Sequence, residues 1–507
     1  MKVKIGRLFS VSVLLVFSFA LLFSLVSTLG CGQKVGEGSY ADAIKKSRDF
    51  VIGLQERYDI PGMAVAVAID NEIVWAEGFG YVKIEKEIPA TPQTLFRVGS
   101  ISKVLTAGAV ALLFEQGKLD LDAPVQKYVP EFPDKGYVIT TRQIAGHLSG
   151  IRHYNEDESE DKKHYDDVIT AIEIFKDDPL ENPPGEKYSY TSYGWNLISA
   201  VIQRASDQPF LHYMQENVFN PLGMVNTVPD DINAIIPNRT TFYDGREVAP
   251  VIDISYKWAS GGYLSTVEDL VRYGSAFLPG SSFIKPETMA VLFTNQRTND
   301  GKAIRHGIGW LVDKFENGKP LYHHPGSLTG GQAILVVQPE DRIIVAMLAN
   351  RSSGFKELAA NLVACYFLGL SENECPEITG ERKRRIEKHM RFQMLSSAIN
   401  QWKTAIETGD LNAVMATTSE NFQSLKWENK TTLRHHFQQV FSSGKTEVDT
   451  ENLHFRFRSR GYPLGALTYI EGIKTKGAFG AVSIRLTFTR EESGPMITNL
   501  EFVEPEG

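Results

Sequence analysis

A serine three residues ahead of a lysine puts an alcohol and an amine on one face of a helix, where residues i and i+3 are neighbours. With the lysine uncharged, such a pair can generate a nucleophile for acyl transfer. The spacing Ser-x-x-Lys occurs four times, at Ser100/Lys103, Ser159/Lys162, Ser282/Lys285 and Ser442/Lys445, so context has to choose. Keeping a lysine neutral at pH 7 from a reference pKa near 10.4 costs about 4–5 kcal/mol. Burial or neighbouring positive charge can supply that, and open solvent cannot. Ser159 lies in the acidic run EDESEDKKHYDD, which would keep Lys162 charged; Ser282 follows Pro279-Gly280 and Ser442 precedes Gly444, both turn contexts. Only Ser100 begins an apolar helix, where unpaired N–H groups and the positive dipole end favour a developing oxyanion. The competing role for a serine at that position is simple N-capping.

The elements that must hold this pair follow from pattern. Residues 62–79 read as two strands, GMAVAVAI and EIVWAEGFG, around an Asp70-Asn71 turn. A helix runs from about Ser100 to Gln116 with an apolar face of Val104, Leu105, Val110, Leu112 and Leu113, and Gly117 takes the C′ position. Residues 333–349 read as another hairpin, turning at Pro339-Glu340-Asp341, and 355–369 as a closing helix. Strands, then helices, then strands define an α+β domain over residues 46–372, its sheet assembled from both ends of the chain. Residues 373–392, with the run ERKRRIEKHMR, form a charged linker. A smaller α+β unit follows over 393–507: a helix with Trp402 and Ile406, a short segment from Gly409-Asp410-Leu411, and the strands LHFRFR, LTYIEG, VSIRLTF and ITNLEF.

Composition removes several function classes. A chain of 507 residues exceeds one compact core, and 42% hydrophobic with 10% aromatic residues excludes wholesale disorder. Lys+Arg 53 against Asp+Glu 61 gives a net charge of −8, which provides no pull toward nucleic acid. The three cysteines, Cys31, Cys365 and Cys375, are too few for a disulfide framework or a four-cysteine zinc site. His323 and His324 are strand neighbours that point to opposite faces, so no metal is expected, and no cofactor.

At the N-terminus, Lys2, Lys4 and Arg7 precede an uncharged, mostly apolar run from Leu8 to Gly30, the pattern of an export leader over residues 1–30. It ends Leu29-Gly30-Cys31 and resembles a bacterial lipoprotein signal with Cys31 as the lipidated residue, although Thr28 stands where that pattern prefers Leu. An uncleaved anchor and a secreted product are the other readings; all three place the protein outside the cytoplasm, with residues 31–45 as a tether.

The segment FRVGSISKVLTAGAVALLFEQGKLDLDAPVQKYVPEF resembles the active-site segment of the class C beta-lactamase and penicillin-binding-protein serine hydrolases. HLSGIRHY (His147 to Tyr154) is similar to the structural His-x-Ser-Gly segment there, in the style of the mitochondrial serine beta-lactamase-like proteases. PGEKYSYTSYGWNLIS, ASGGYLSTVEDL, GIGW and HPGSLTGG resemble further landmarks in the family's order, over about residues 45–370. The resemblance implies a beta-lactamase/transpeptidase-like fold, an antiparallel sheet flanked by helices plus an all-helical region. It implies Ser100 as nucleophile, Lys103 as general base and Tyr190 as general acid/base, with the choice of base between Lys103 and Tyr190 open. The backbone N–H groups of Ser100 and Ser327 would form the oxyanion hole, and Ser192, His324 and Gly326 would bind substrate. By residue type alone, Tyr190 among Tyr188, Tyr193 and Trp195 could as well be a packed aromatic, and His147 reads as a residue that orients a loop.

Two departures bear on substrate. Ser192 stands where the family commonly has Asn, and His324 where beta-lactamases and carboxypeptidases have Lys, which exchanges a permanent cation for one only partly charged near neutral pH. The expectation is therefore a serine peptidase or esterase acting on a small molecule or peptide. Beta-lactamase or D-Ala-D-Ala carboxypeptidase activity is the alternative, and a non-catalytic penicillin-binding sensor a second one. The C-terminal unit resembles a nuclear transport factor 2-like (SnoaL-like) domain, implying a cone-like fold and an accessory role such as dimerisation.

Overall fold

The computed structural model describes residues 40–379 except 156–157, 159–162, 353–354 and 356, together with 401–416, 418, 429–443 and five strands between 446 and 503. The leader with Cys31, the charged run 381–391 and the Ser159/Lys162 pair lie outside the described residues. The elements that frame the site are α1 (Ala41–Tyr58), β1 (Gly62–Ile69), β2 (Glu72–Lys83), β3 (Ile88–Pro89), β4 (Phe96–Arg97), α2 (Ile101–Glu115) and α3 (Tyr193–Ser206). They continue with β5 (Val228–Pro229), β6 (Tyr263–Ser265), α4 (Val267–Ser275), β7 (Leu311–Lys314), β8 (Pro320–Leu328), β9 (Gly331–Gln338), β10 (Ile343–Ala349) and α5 (Glu357–Phe367).

A seven-stranded antiparallel sheet runs in the order β3-β2-β1-β10-β9-β8-β7. β1 pairs with β10, Met63 opposite Ala349 and Ile69 opposite Ile343, so hairpins from the two ends of the domain meet in mid-sheet. Both strands are buried on both faces, which is why they read as unbroken apolar runs and not as apolar–polar alternation. The period of two survives in β1 as side-chain size. Ala64, Ala66 and Ala68 face the larger core shared with α2, and Met63, Val65 and Val67 face a second core. That second core is closed by residues of α1, such as Val51 and Leu54, and of α5, such as Ala360 and Val363.

The helix that begins after Ser100 is buried nearly all round. Ser102, Lys103 and Thr106 are as inaccessible as Val104 and Leu105, while Leu112 is only partly buried. The one-sided apolar face expected from spacing is therefore corrected: α2 is a central core helix, lying between the sheet and α3.

Two expected boundaries shift. α1 begins at Ala41, inside the stretch read as a tether to residue 45. At the other end Cys365 of α5 is disulfide-bonded to Cys375. Beyond it Ile378 bridges Phe315, and the Thr379 N–H donates to the Lys314 carbonyl at 2.9 Å. The chain thus stays on this body past residue 372, held by a bridge that a count of three cysteines did not suggest.

Residues 401–408 are helical, followed by α6 (Leu411–Ala416) and α7 (Lys430–Ser443), and Trp402, Ile406, Val414, Leu433 and Phe437 are buried. The strands β11 (Thr446–Asp449), β12 (His454–Phe457), β13 (Thr468–Gly477), β14 (Val482–Glu491) and β15 (Gly494–Val503) form an antiparallel sheet in the order β11-β13-β14-β15, with β12 also on β13. Among the described residues no helix is long and apolar enough to cross a membrane.

The Cys365–Cys375 bridge spans a sequence separation of 10, and closing a loop of that size stabilises by about 2–3 kcal/mol through the unfolded chain. Replacing both cysteines by serine should lower the urea midpoint by a matching amount and make it insensitive to reductant. A double variant as stable as the wild type would show that the bridge does not form.

Candidate active site

Ser100 occupies the N-cap position of α2, yet its side chain makes no capping hydrogen bond. Its Oγ instead accepts from Lys103 Nζ at 3.2 Å and from the Tyr190 hydroxyl at 2.8 Å. Lys103 is 0% exposed. Its Nζ also donates to Ser192 Oγ at 3.2 Å and to the Ser260 carbonyl at 2.7 Å, and stands 4.9 Å from the centre of the Tyr190 ring. These acceptors are neutral oxygens, in a place from which water is shut out. Among the described residues of the rival pairs, Ser282, Lys285 and Ser442 are exposed, and Lys285 lies 3.7 Å from Glu115.

Tyr190 sits in the irregular segment ahead of α3, and the HLSGIRHY stretch cradles it. His147 takes a left-handed backbone, φ +61°. Its carbonyl accepts from the Ser189 N–H at 2.9 Å, and its Nδ1 accepts from the Thr191 N–H at 3.1 Å. The imidazole stacks on the Tyr190 ring at 4.3 Å. Farther along, the Thr191 hydroxyl donates to the Arg152 carbonyl at 2.7 Å and the Ser192 N–H to His153 Nδ1 at 2.9 Å. His147 therefore orients the tyrosine segment by both its backbone and its ring.

Two glycines bring β8 against the segment that carries Ser100. Gly99 has φ +50°, and a Cβ there would stand 2.7 Å from the Ser327 nitrogen; a Cβ on Gly326 would stand 1.9 Å from the Val98 carbonyl oxygen. Any side chain at either position would wedge the strand away from Ser100. Leu328 and Gly331 close the ladder across the two-residue turn Thr329-Gly330, and Ser327 pairs with Gln332 one step back. Antiparallel alternation then turns the Ser327 N–H away from β9, leaving it available on the edge beside Gly99.

The histidines around the lysine are neutral. Burial, followed by the nearby His306, pushes the His147 imidazole well below its ordinary value; burial and then His324 do the same to His306. His324, 3% exposed, is pushed down to about 3, first by burial and then by Lys103. This corrects the expectation of a partly charged imidazole: His324 carries no charge at neutral pH. Its Nδ1 lies 2.6 Å from the Pro325 carbonyl, which accepts only, so the proton is on Nδ1 and Nε2 keeps a lone pair. His323 points to the opposite face, its Nε2 2.8 Å from Asp313 Oδ2. Among the described residues there is no cluster of three or more side chains fit to hold a metal ion.

Ser192 and Gly326 also differ from their expected surroundings. Ser192 is 4% exposed and directs its Oγ to Lys103, so here it is a partner of the amine. Gly326 serves close packing of the strand. Three contributors were not singled out from sequence. Ser260 offers its carbonyl to Lys103, and its own hydroxyl donates to Asn196 Oδ1 at 2.8 Å. His306 links His147 and His324, at ring distances of 5.1 and 6.3 Å. His153 holds the Ser192 N–H. The landmark ASGG contained the signal for Ser260, and HLSGIRHY that for His153; nothing local marked His306.

A sheet built from both chain ends, a buried helix that opens on Ser-x-x-Lys, and a tyrosine on the serine oxygen are the arrangement of the beta-lactamase/transpeptidase-like superfamily. The family model "Beta-lactamase" matches residues 48–365, more than half of the chain, and the chain belongs to this family. It is similar to the serine beta-lactamase-like protein LACTB, mitochondrial, of Homo sapiens, 32% identical over 400 residues, covering 60% of this chain and 73% of that protein. It is also similar to a D-aminopeptidase of Gluconobacter oxydans (strain 621H), 27% identical over 328 residues, covering 62% and 60%. Among solved structures, the octameric penicillin-binding protein homologue from Pyrococcus abyssi shares the fold with a TM-score of 0.58 at 19% identity, covering 91% of this chain and 96% of that one.

Burying His147, His306 and His324 as neutral rings has a signed consequence. Their folded-state values are lowered, so their stabilising effect is complete above the unfolded value of about 6.5 and is lost as pH falls below it, by up to about 1.4 kcal/mol per pH unit for each ring. Thermal midpoints measured from pH 8 to pH 5 should fall on the acid side, and His306→Asn should flatten that fall. An identical slope in the variant would show that His306 does not stay neutral in the folded protein.

Proposed function

We propose that the chain is an extracytoplasmic serine hydrolase that opens an amide or ester bond through an acyl-enzyme on Ser100. The observation that carries this reading is the shared contact of Lys103 Nζ and the Tyr190 hydroxyl with Ser100 Oγ. As Oγ attacks the carbonyl carbon, its proton passes to the neutral Lys103 amine or to Tyr190 as phenolate; both reach it. The Ser100 and Ser327 N–H groups hold the oxyanion, a contribution of about 10²–10³ in rate for each such donor. Tyr190 then protonates the departing nitrogen or oxygen. In the second half a water attacks the ester of Ser100, giving up its proton to the same pair, and Oγ recovers its hydrogen.

Peptidase or esterase action is favoured over beta-lactamase action because His324 is uncharged and buried, so the HPGSLTGG segment presents no cation to a substrate carboxylate. The similarity to a D-aminopeptidase points the same way. Placement outside the cytoplasm is supported by the leader and by the Cys365–Cys375 bridge, since disulfides persist in oxidising compartments; Cys31 is the proposed site of lipidation. We read the C-terminal unit as a nuclear transport factor 2-like accessory module for dimerisation or substrate presentation.

A fluorophosphonate probe should label the wild type, and Ser100→Ala should abolish labelling and cut hydrolysis of the best substrate by about 10⁴-fold or more, the scale of a deleted nucleophile. Labelling that persists on the folded variant would place the nucleophile elsewhere. A panel of p-nitrophenyl esters, D- and L-aminoacyl anilides and nitrocefin identifies the substrate class. The alternative beta-lactamase reading has its own test in His324→Lys. Restoring a cation should raise nitrocefin turnover by roughly 10–100-fold, as one hydrogen bond to a charged group of about 1.5–3 kcal/mol implies. No gain would place the barrier to beta-lactams in some other feature.

A further inference from the structure

Three residues before the nucleophile lies a buried arginine that the proposed reaction does not use. Arg97, on β4, is 2% exposed. Its Nε donates to Asp230 Oδ2 at 2.7 Å and its Nη1 to the Thr329 carbonyl at 2.7 Å, while the guanidinium lies 4.0 Å over the Phe242 ring. Arg239 Nη2 stands 2.6 Å from the other Asp230 oxygen, an ion-pair contact on the far side of the carboxylate. Buried ion pairs are often matched or surpassed in stability by apolar residues of similar volume. Stability alone therefore gives little account of a guanidinium at this depth, and its partners give a better one.

Thr329 opens the turn between β8 and β9, two residues beyond Ser327. Gly331, on the far side of that turn, rests on the arginine: a Cβ there would stand 2.6 Å from Arg97 Cβ. One rigid side chain thus ties the segment leading into Ser100 to the turn that follows Ser327. Oxyanion donors act over a narrow range, about 2.7–3.1 Å from the developing charge, and a misplacement of about 1 Å can cost 10²-fold. We propose that Arg97 is the positioning residue of the oxyanion hole, its bond to the Thr329 carbonyl fixing the separation of the Ser100 and Ser327 N–H groups. This rests on the assignment of the Ser327 N–H under the proposed function.

Arg97→Lys keeps the charge beside Asp230 and removes the fork that reaches Thr329; Arg239→Gln disturbs the same carboxylate without touching the turn. Two readouts apply to the full chain: inhibition by phenylboronic acid, whose serine adduct places an oxygen in the hole, and steady-state hydrolysis of p-nitrophenyl acetate. For Arg97→Lys the boronate inhibition constant should rise by about 10–100-fold and kcat fall in the same ratio, with KM within about twofold. Arg239→Gln should leave both within about threefold, even if its thermal midpoint drops. Should Arg97→Lys fail to fold, Asp230→Asn, which loosens the guanidinium but keeps its donors, should move both readouts the same way by at least about threefold. Arg97→Lys folded and unchanged in both readouts, or Arg239→Gln equally impaired, overturns the inference while leaving the hydrolase reading intact. A wild type that neither binds phenylboronic acid nor accepts the fluorophosphonate overturns both.

Discussion

An amine held out of water against a serine oxygen is the constraint on which this structure turns. A lysine serves as a base only where its charged form is disfavoured; Lys103 lies deep, in a helix buried nearly all round, between a two-faced sheet and α3. That architecture explains why α2 lacks an amphipathic pattern. It also explains why Ser102 and Thr106, polar residues on the same helix, find buried partners: Ser102 Oγ accepts from the Tyr263 N–H, and the Thr106 hydroxyl donates to the Ala259 carbonyl.

The second requirement is that groups distant in sequence come together around Ser100. Ser100 comes from the helix start, Tyr190 from the segment before α3, and Ser327 from a strand of the second hairpin. The pairing of β1 with β10 brings the terminal hairpins into one sheet, and Gly99 and Gly326 let that sheet press against the nucleophile segment. Convergence at this precision needs backbone contact, which explains glycine at both positions better than any demand for flexibility.

Much of this was legible in the sequence, and the reasons differ by feature. The hairpins at 62–79 and 333–349 could be read because their apolar runs and turn residues are local. The Ser-x-x-Lys with the buried lysine could be picked from four because acidic and turn surroundings are also local. What stayed hidden depends on long-range packing. The Ser260 carbonyl, His306 and Arg97 act through contacts with residues far along the chain, and the Cys365–Cys375 bridge through the course of the chain after α5. The neutrality of His324 follows from burial beside Lys103, a quantity that residue type does not encode; on type alone a partly charged imidazole was the reasonable expectation.

The same neutrality bears on how the lysine is tuned. Positive neighbours would be one way to hold an amine uncharged, and three imidazoles stand close enough to supply them. They do not, because burial discharges each ring before it could act on Lys103. The burial of Lys103 then depends on the whole packed body, not on any one neighbour. A loosened sheet, a displaced β8 or a hydrated α2 would each reach the chemistry by the same route, through water admitted to a single nitrogen.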